Sequence, residues 1–505
     1  MGRGNVEMRG MMSRRFLITL FALCFLISCT PGNIPASETP TSTAVSTNTP
    51  APTPTATSYP PGTVAFYRLQ IKFETTSDWS TLELLIPENV LAVRTMDVSG
   101  RLASYQAGIQ QLALNQSLAA SESGKQIGIT VDYAVASDAL NQPMKFRLQK
   151  GDIGGSTVNI FNVTSGTAEL VQSLDHQGVV NNSAGLNPKE FSVDLTALKD
   201  SSPLLSKAGT TNQQRMLLAF YYTWYSIKDW TTDMLRDQPL VRYSSNSPQA
   251  ITRQIEEAQS AGIDGFIASW WGPGGNTDEN LRTLLAIAQQ KNFKVSIYFE
   301  TLAGQNGSPL DASTIQDWLV YAIKNYGNDP AFIKVDGKPL IVIWASATVP
   351  LDTWKNIFAS LHGQGQDAVY LAMGYDLNNL EVFDGLHDYG IFTYKDLTQT
   401  YLSTSNAVRN YSLLADQPTQ KIWAATVQPG YDERNIPGRQ GLVQDRQNGD
   451  FYRSTWDAAL HSNPDWIFIT TWNEWWEHTY IEPSELYGDQ YLQITREYAD
   501  KWRGQ

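Results

Sequence analysis

The chain has 505 residues, with 37 Lys and Arg against 50 Asp and Glu and a net charge of −13. The first 28 residues carry four Arg and one Glu, so the remainder stands at −16. So acidic a chain excludes nucleic acid as a partner, because contact with phosphates needs a basic stripe; it suits a soluble protein acting on a neutral ligand. The only two cysteines, Cys24 and Cys29, lie near the N-terminus, which excludes disulfides and thiolate metal sites from the folded part. With five His and no His-Glu-x-x-His motif, no metal and no cofactor are expected.

In chain order, Met11-Met12-Ser13-Arg14-Arg15 leads into an apolar run from Phe16 to Ile27 that ends Leu26-Ile27-Ser28-Cys29. A basic start, a short apolar core and a small residue form a secretory signal over residues 1–28, too short and poorly flanked to span a membrane. The ending resembles a bacterial lipobox, which implies cleavage before Cys29 and its lipidation. An extracytoplasmic lipoprotein, held to a membrane by that anchor, is the expectation. Residues 29–62 are Pro, Thr, Ser and Ala with repeated Thr-Pro steps. They lack the large apolar residues of a core, and proline extends them into a tether.

From 63 to 200 the pattern has period two. Phe66–Phe73, Leu82–Ile86, Ile127–Tyr133, Met144–Leu148 and Val158–Val163 alternate apolar and polar residues between turn-forming ones. Short strands of this kind predict a β-sandwich, read as a spacer or structural module because no aromatic cluster marks a sugar platform.

From 213 to 505, strands alternate with amphipathic stretches. The strands predicted are Met216–Tyr222, Gly265–Trp270, Lys294–Phe299, Leu340–Trp344, Val369–Met373, Gly390–Tyr394, Ile422–Val427 and Trp466–Thr471. Helices are predicted over Ala250–Ala261, Glu279–Gln290, Ile315–Tyr326 and Phe451–His461. Eight such units make an α/β fold, a (β/α)8 TIM barrel. A doubly wound sheet is the alternative, but no Gly-rich phosphate fingerprint follows any strand.

Chemistry in such barrels sits at the C-terminal strand ends. Six of the eight predicted ends carry aromatic residues: Tyr222 and Trp224, Trp270 and Trp271, Phe299 before Glu300, Tyr394, Tyr431 with Asp432, and Trp472-Asn473-Glu474-Trp475-Trp476-Glu477. Rings stack on the apolar C–H faces of sugars, while carboxylates and amides take hydroxyls. Glu474 and Glu477 are three apart, so a helical turn would set their Cβ atoms about 5–6 Å apart on one face. That suits acid/base work on a glycosidic bond; a helix start, with Glu favoured by the dipole, would account for the pair equally.

These residues resemble glycoside hydrolase family 99, the endo-α-mannosidase and endo-α-mannanase family. The likeness runs through Ala219-Phe220-Tyr221-Tyr222-Thr223-Trp224-Tyr225, Tyr243-Ser244-Ser245, Ala261–Gly272, Pro429-Gly430-Tyr431-Asp432, Asp445–Gly449 and Trp472-Asn473-Glu474-Trp475. It covers the barrel and not the preceding strands. The resemblance implies an endo-acting, retaining hydrolase of α-mannoside-like linkages, with an α-linked oligo- or polysaccharide as substrate; a monomer is expected. Glu474 matches the base on the sugar's own 2-hydroxyl, and Glu477 the acid that protonates the leaving oxygen and then activates water. Tyr222, Trp270, Glu300, Tyr394 and Asn473 match ends that line the family's sugar cleft. The family's Trp-His-Glu-Gly-Thr-Gln continuation is here Trp475-Trp476-Glu477-His478-Thr479-Tyr480. His478 is placed to hydrogen bond Glu477 or to fill space. The alternatives are a hydrolase of another α-linked glycan on the same barrel and a surface glycan-binding protein without catalysis; the intact Glu474/Glu477 pair counts against the second.

Overall fold

The computed structural model describes strands between residues 64 and 193, together with residues 214–233, 235–411 and 421–504. The signal sequence, Cys29 and the tether lie outside the described residues.

The N-terminal strands pair antiparallel. Val64–Thr75 lies between Gln126–Ala136 and the second half of Met144–Asn162, whose first half pairs with Trp79–Leu85. Two strands expected at Met144–Leu148 and Val158–Val163 are therefore one 19-residue strand. Gly151, Gly154 and Gly155 lie within it, where glycine permits a bend or bulge without ending the strand. How the faces of these strands pack, and with it the sandwich itself, lies outside the described residues.

The second unit is a closed parallel barrel. Its strands are β1 (Met216–Tyr221), β2 (Gly265–Trp270), β3 (Lys294–Glu300), β4 (Lys338–Trp344), β5 (Val369–Met373), β6 (Gly385–His387), β7 (Ile422–Val427) and β8 (Trp466–Ile469). β1 pairs with both β2 and β8, and β3 with β4, so the ring closes. The helices are α1 (Pro248–Ser260), α2 (Asn276–Gln290), α3 (Ala312–Tyr326), α4 (Leu351–Gly363), α5 (Leu397–Asn410), α6 (Asp450–His461) and α7 (Gln490–Arg503). Between β5 and β6 stands only a 3-10 turn, Leu377–Glu381. Ser247 caps α1 ahead of Pro248, and Asp311 caps α3 by accepting from Thr314 N at 2.9 Å; both are side chains that satisfy free N–H groups of a first turn.

Alternation along each strand builds two layers of core. Leu218, Phe220, Ile267, Tyr298, Val342, Leu371, Ala424, Trp466 and Phe468 fill the barrel. Their neighbours Leu217, Ala219, Phe266, Ala268, Trp270, Ile297, Ile341, Trp423 and Ile467 pack outward against the helices. At the N-terminal end, Asp264, Asp384 and Asp465 accept from the first N–H groups of neighbouring strands, at Leu217, Tyr370 and Trp423 (2.8–2.9 Å). One rim is thereby committed to structure, and the C-terminal rim is left to chemistry.

The sixth strand corrects the expectation of Gly390–Tyr394. β6 is three residues long, and a Cβ on Gly385 would lie 2.5 Å from Ile422 O. Glycine is there for close strand approach, in a segment too short to show periodicity. The expected segment is a loop pinned by Asp388, which accepts from Tyr389 N and Tyr394 Oη at 2.7 Å each.

Candidate active site

The polypeptide leaves β8 as a tight turn rather than a helix. His478 N donates to Trp475 O (3.3 Å) and Thr479 N to Glu474 O (3.2 Å), with His478 at φ 56°. The dipole of a helix start therefore does not account for the two acids. Asn473 anchors the turn to β1: its Oδ1 accepts from Tyr222 N (2.7 Å) and its Nδ2 donates to Tyr222 O (2.9 Å) and Tyr243 Oη (3.0 Å). Glu482, closing the same segment, accepts from Tyr243 Oη, Gln254 Nε2 and Trp475 Nε1 at 2.7–3.1 Å.

Glu474 has no solvent exposure and Glu477 is 3% exposed. One oxygen of Glu474 is held: Oε1 accepts from Tyr225 Oη (3.4 Å) and Trp476 N (3.2 Å). Because Tyr225 Oη itself accepts from Trp475 N (3.0 Å), its proton is directed at Glu474. The other oxygen, Oε2, is buried with no hydrogen-bond partner among the described residues. A bare buried acceptor is costly unless a ligand supplies the donor. Burial, then the charge of Glu477, pushes the Glu474 carboxyl well up. Such a shift makes a carboxylate a stronger base.

Glu477 sits between opposing influences. Its Oε2 accepts from Tyr389 Oη (3.2 Å), which in turn accepts from Tyr222 Oη (2.7 Å). Its Oε1 takes Arg439 Nη2 at 3.2 Å. Burial raises the Glu477 carboxyl, and the Arg439 charge opposes it without cancelling it. Glu300, at the end of β3, accepts from Ser269 Oγ (2.6 Å), and Ser269 accepts from Trp271 Nε1 (3.0 Å). Burial pushes the Glu300 carboxyl up to about 8, so near neutral pH it carries a proton.

Trp224 and Trp476, both partly exposed, stack 5.8 Å apart at 13° beside Tyr225, and Trp271 meets the edge of Trp224 at 6.2 Å. Tyr431 stacks on Phe392 (4.5 Å) and donates to Glu433 (2.6 Å) on the Arg439 side. Thus Tyr222, Trp224, Trp271, Glu300, Tyr431, Glu474 and Glu477 converge on one rim.

Other expected site residues do not join them. Trp270 points outward from β2, fully buried, and its Nε1 donates to Asp278 of α2 (2.9 Å). Tyr394 lies against Tyr375 (5.6 Å) in the outer layer, held by Asp388. Asp432 is bound by Arg434 (2.6 Å) and Arg236 (2.9 Å), and its backbone N donates to Glu477 O (2.9 Å). Asn473 spends its amide on Tyr222 and Tyr243. His478 reaches Tyr487 Oη at 3.4 Å rather than Glu477, and burial, with Arg446 nearby, drops its imidazole to about 3; it is neutral. The residues that sequence reasoning missed are Tyr225, Tyr389, Glu433 and Arg439. Tyr225 and Glu433 lie within or beside quoted motifs, while Arg439 is signalled only by flanking glycines in a loop after β7.

Comparison with known proteins agrees with this arrangement. The sequence profile of Glycosyl hydrolase family 99 matches residues 235–503, more than half the chain. Glycoprotein endo-alpha-1,2-mannosidase of Rattus norvegicus is 26% identical over 356 residues, which cover 56% of this chain and 74% of that protein. The glycoprotein endo-alpha-1,2-mannosidase-like protein of Homo sapiens is 25% identical over 355 residues, covering 56% and 75%. The solved GH99 endo-alpha-mannosidase of Bacteroides thetaiotaomicron, in complex with BIS-TRIS-propane, superposes with a TM-score of 0.50 at 26% identity, over 57% of this chain and 97% of that one. With a parallel barrel, buried acids on its C-terminal rim and a profile match across that barrel, the chain belongs to Glycosyl hydrolase family 99 and is a glycoside hydrolase.

Proposed function

We propose that the protein is an endo-acting, retaining hydrolase of α-mannoside-like linkages that uses the substrate's own 2-hydroxyl as nucleophile. The observation that carries this is the buried, unpartnered Oε2 of Glu474 beside Glu477. A sugar hydroxyl supplies the donor that this oxygen lacks. In an α-mannoside the 2-hydroxyl is trans to the leaving group, so O2 can attack C1 from behind. Glu474 takes the O2 proton as the O2–C1 bond forms. The C1–O bond to the leaving sugar breaks, and that oxygen receives the proton of Glu477. Water then attacks C1 and gives its proton to Glu477, the epoxide-like ring opens, and O2 recovers its proton from Glu474. Two inversions leave net retention, without the protein nucleophile of the usual two-carboxylate scheme.

The names of the relatives as endo-alpha-1,2-mannosidases support the substrate class. Trp224, Trp271 and Trp476 supply ring faces for sugar, and the protonated Glu300 can donate to a hydroxyl. Tyr222, Tyr431 and Glu300 are substrate contacts, and Asn473, Asp432 and Trp270 hold the frame. The enzyme works as a monomer outside the cytoplasm, tethered through lipidated Cys29, with the N-terminal strands as a sandwich-like spacer.

Release of reducing ends should occur from α-mannan and not from α-glucan, with the first-formed product carrying the α configuration by NMR. Release from α-glucan alone, or a β-configured first product, would overturn the assignment. Cys29→Ala should move the activity from the membrane fraction to the soluble one; activity that stays membrane-bound would remove the anchor.

A further inference from the structure

The loop between β7 and α6 carries a charged cluster that the reaction as written does not use. Tyr431–Asp432 pairs antiparallel with Val443–Gln444, forming a short ribbon at the barrel mouth. Between its strands, Gly438 (φ 82°) and Gly441 (φ 78°) take left-handed turns that favour glycine. These turns present Arg439 inward, with its side chain 3% exposed. Its Nη1 binds Glu433 Oε2 at 2.8 Å and Tyr431 Oη at 3.1 Å, and its Nη2 binds Glu477 Oε1 at 3.2 Å. Glu433, 1% exposed, also accepts from Leu442 N at 3.1 Å and Tyr431 Oη at 2.6 Å.

A general acid beside an unopposed arginine would be held as a carboxylate, since an opposite charge within about 4–6 Å favours the charged form. Here the guanidinium is shared, and its shorter contact is with Glu433. We propose that Glu433 is a positioning residue that acts through Arg439: it holds the guanidinium and offsets its charge, so that Glu477 can both deliver a proton to the leaving oxygen and accept one from water. The proposal rests on Glu477 being the acid. The other groups facing Glu477 are Glu474 on its own turn, Tyr389 after β6, Tyr222 after β1, Glu300 on β3 and Tyr431 on the ribbon. Tyr389 donates from the opposite side, and none of these groups brings a second cation.

The test is the pH profile of kcat/KM for wild type, Arg439→Gln and Glu433→Gln on one α-mannoside. The basic limb reports loss of the acid's proton, as a macroscopic value of the coupled pair. Arg439→Gln removes the cation and should move that limb up by about one pH unit or more. Glu433→Gln removes the carboxylate at the shorter of the two contacts, so that more of the cation's charge acts on Glu477, and should move it down. Arg439→Lys, which keeps the charge, should leave the limb nearer wild type than Arg439→Gln does. Opposite shifts support the assignment. Limbs that stay in place, or move in one direction for both variants, overturn it and leave the cluster a structural clamp on the ribbon. Glu477→Gln, assayed alongside, separates the two levels: wild-type turnover in that variant removes the acid itself, whereas its loss together with unmoved limbs removes only the role of Glu433.

Discussion

Asn473 separates the contribution of the fold from that of the substrate. Its motif places it among sugar contacts, yet its amide is used on Tyr222 N, Tyr222 O and Tyr243 Oη. Asn473→Ala leaves a backbone N–H and a C=O of Tyr222 unpaired in the interior, at about 1–3 kcal/mol each. Part of that cost returns if water fills the gap, so a loss of about 3 kcal/mol is expected. Spread over the barrel unit, at about 2.1 cal/mol/K of unfolding entropy per residue, it corresponds to a fall in Tm of roughly 5 °C. Asn473→Asp keeps the acceptor for Tyr222 N but sets a second oxygen against Tyr222 O, and should be no better than intermediate. Because the next residue is Glu474, kcat should fall more than KM rises. Thermal unfolding and steady-state kinetics on the same preparations check this. A variant with wild-type Tm and an increase confined to KM would refute the reasoning and return Asn473 to the sugar.

Trp270→Phe should cost about 1–3 kcal/mol by taking from Asp278 one of its donors, with Tyr326, Gly274 and Arg282 still bound to it, and leave KM unchanged; a KM increase at constant Tm would put the indole back in the cleft. Glu300 makes stability depend on pH. Its carboxyl rises from 4.5 to about 8 through burial, so the folded chain keeps a proton that the unfolded chain loses. The resulting stability is complete below about pH 4.5 and is lost as pH rises through about 8, by no more than about 4–5 kcal/mol at 1.36 kcal/mol per unit. Glu300→Gln, which cannot titrate, should lose less stability over that window, and equal losses would contradict the shift.

Much of the barrel is legible because its strands are long, apolar and bounded by amphipathic helices. The rim placement of Glu300, Glu474 and Glu477 follows from the strand ends alone. What the sequence does not display is direction. Trp270 and Trp271 look equivalent, but alternation from Ile267 turns Trp270 outward to Asp278 and leaves Ser269 facing Glu300. Asn473 binds backbone 251 residues away, which no local pattern records. Tyr389 was missed because three-residue β6 is too short to locate, and Arg439 because its loop has no periodicity.

Both acids are required by the account, each for a different proton. The most direct measurement is turnover of an α-mannoside by Glu474→Gln and Glu477→Gln, with glycan binding and Tm followed in parallel. The account predicts folded variants that still bind and whose hydrolysis falls by at least about 10²–10⁴. Hydrolysis at the wild-type rate by either folded variant would contradict it.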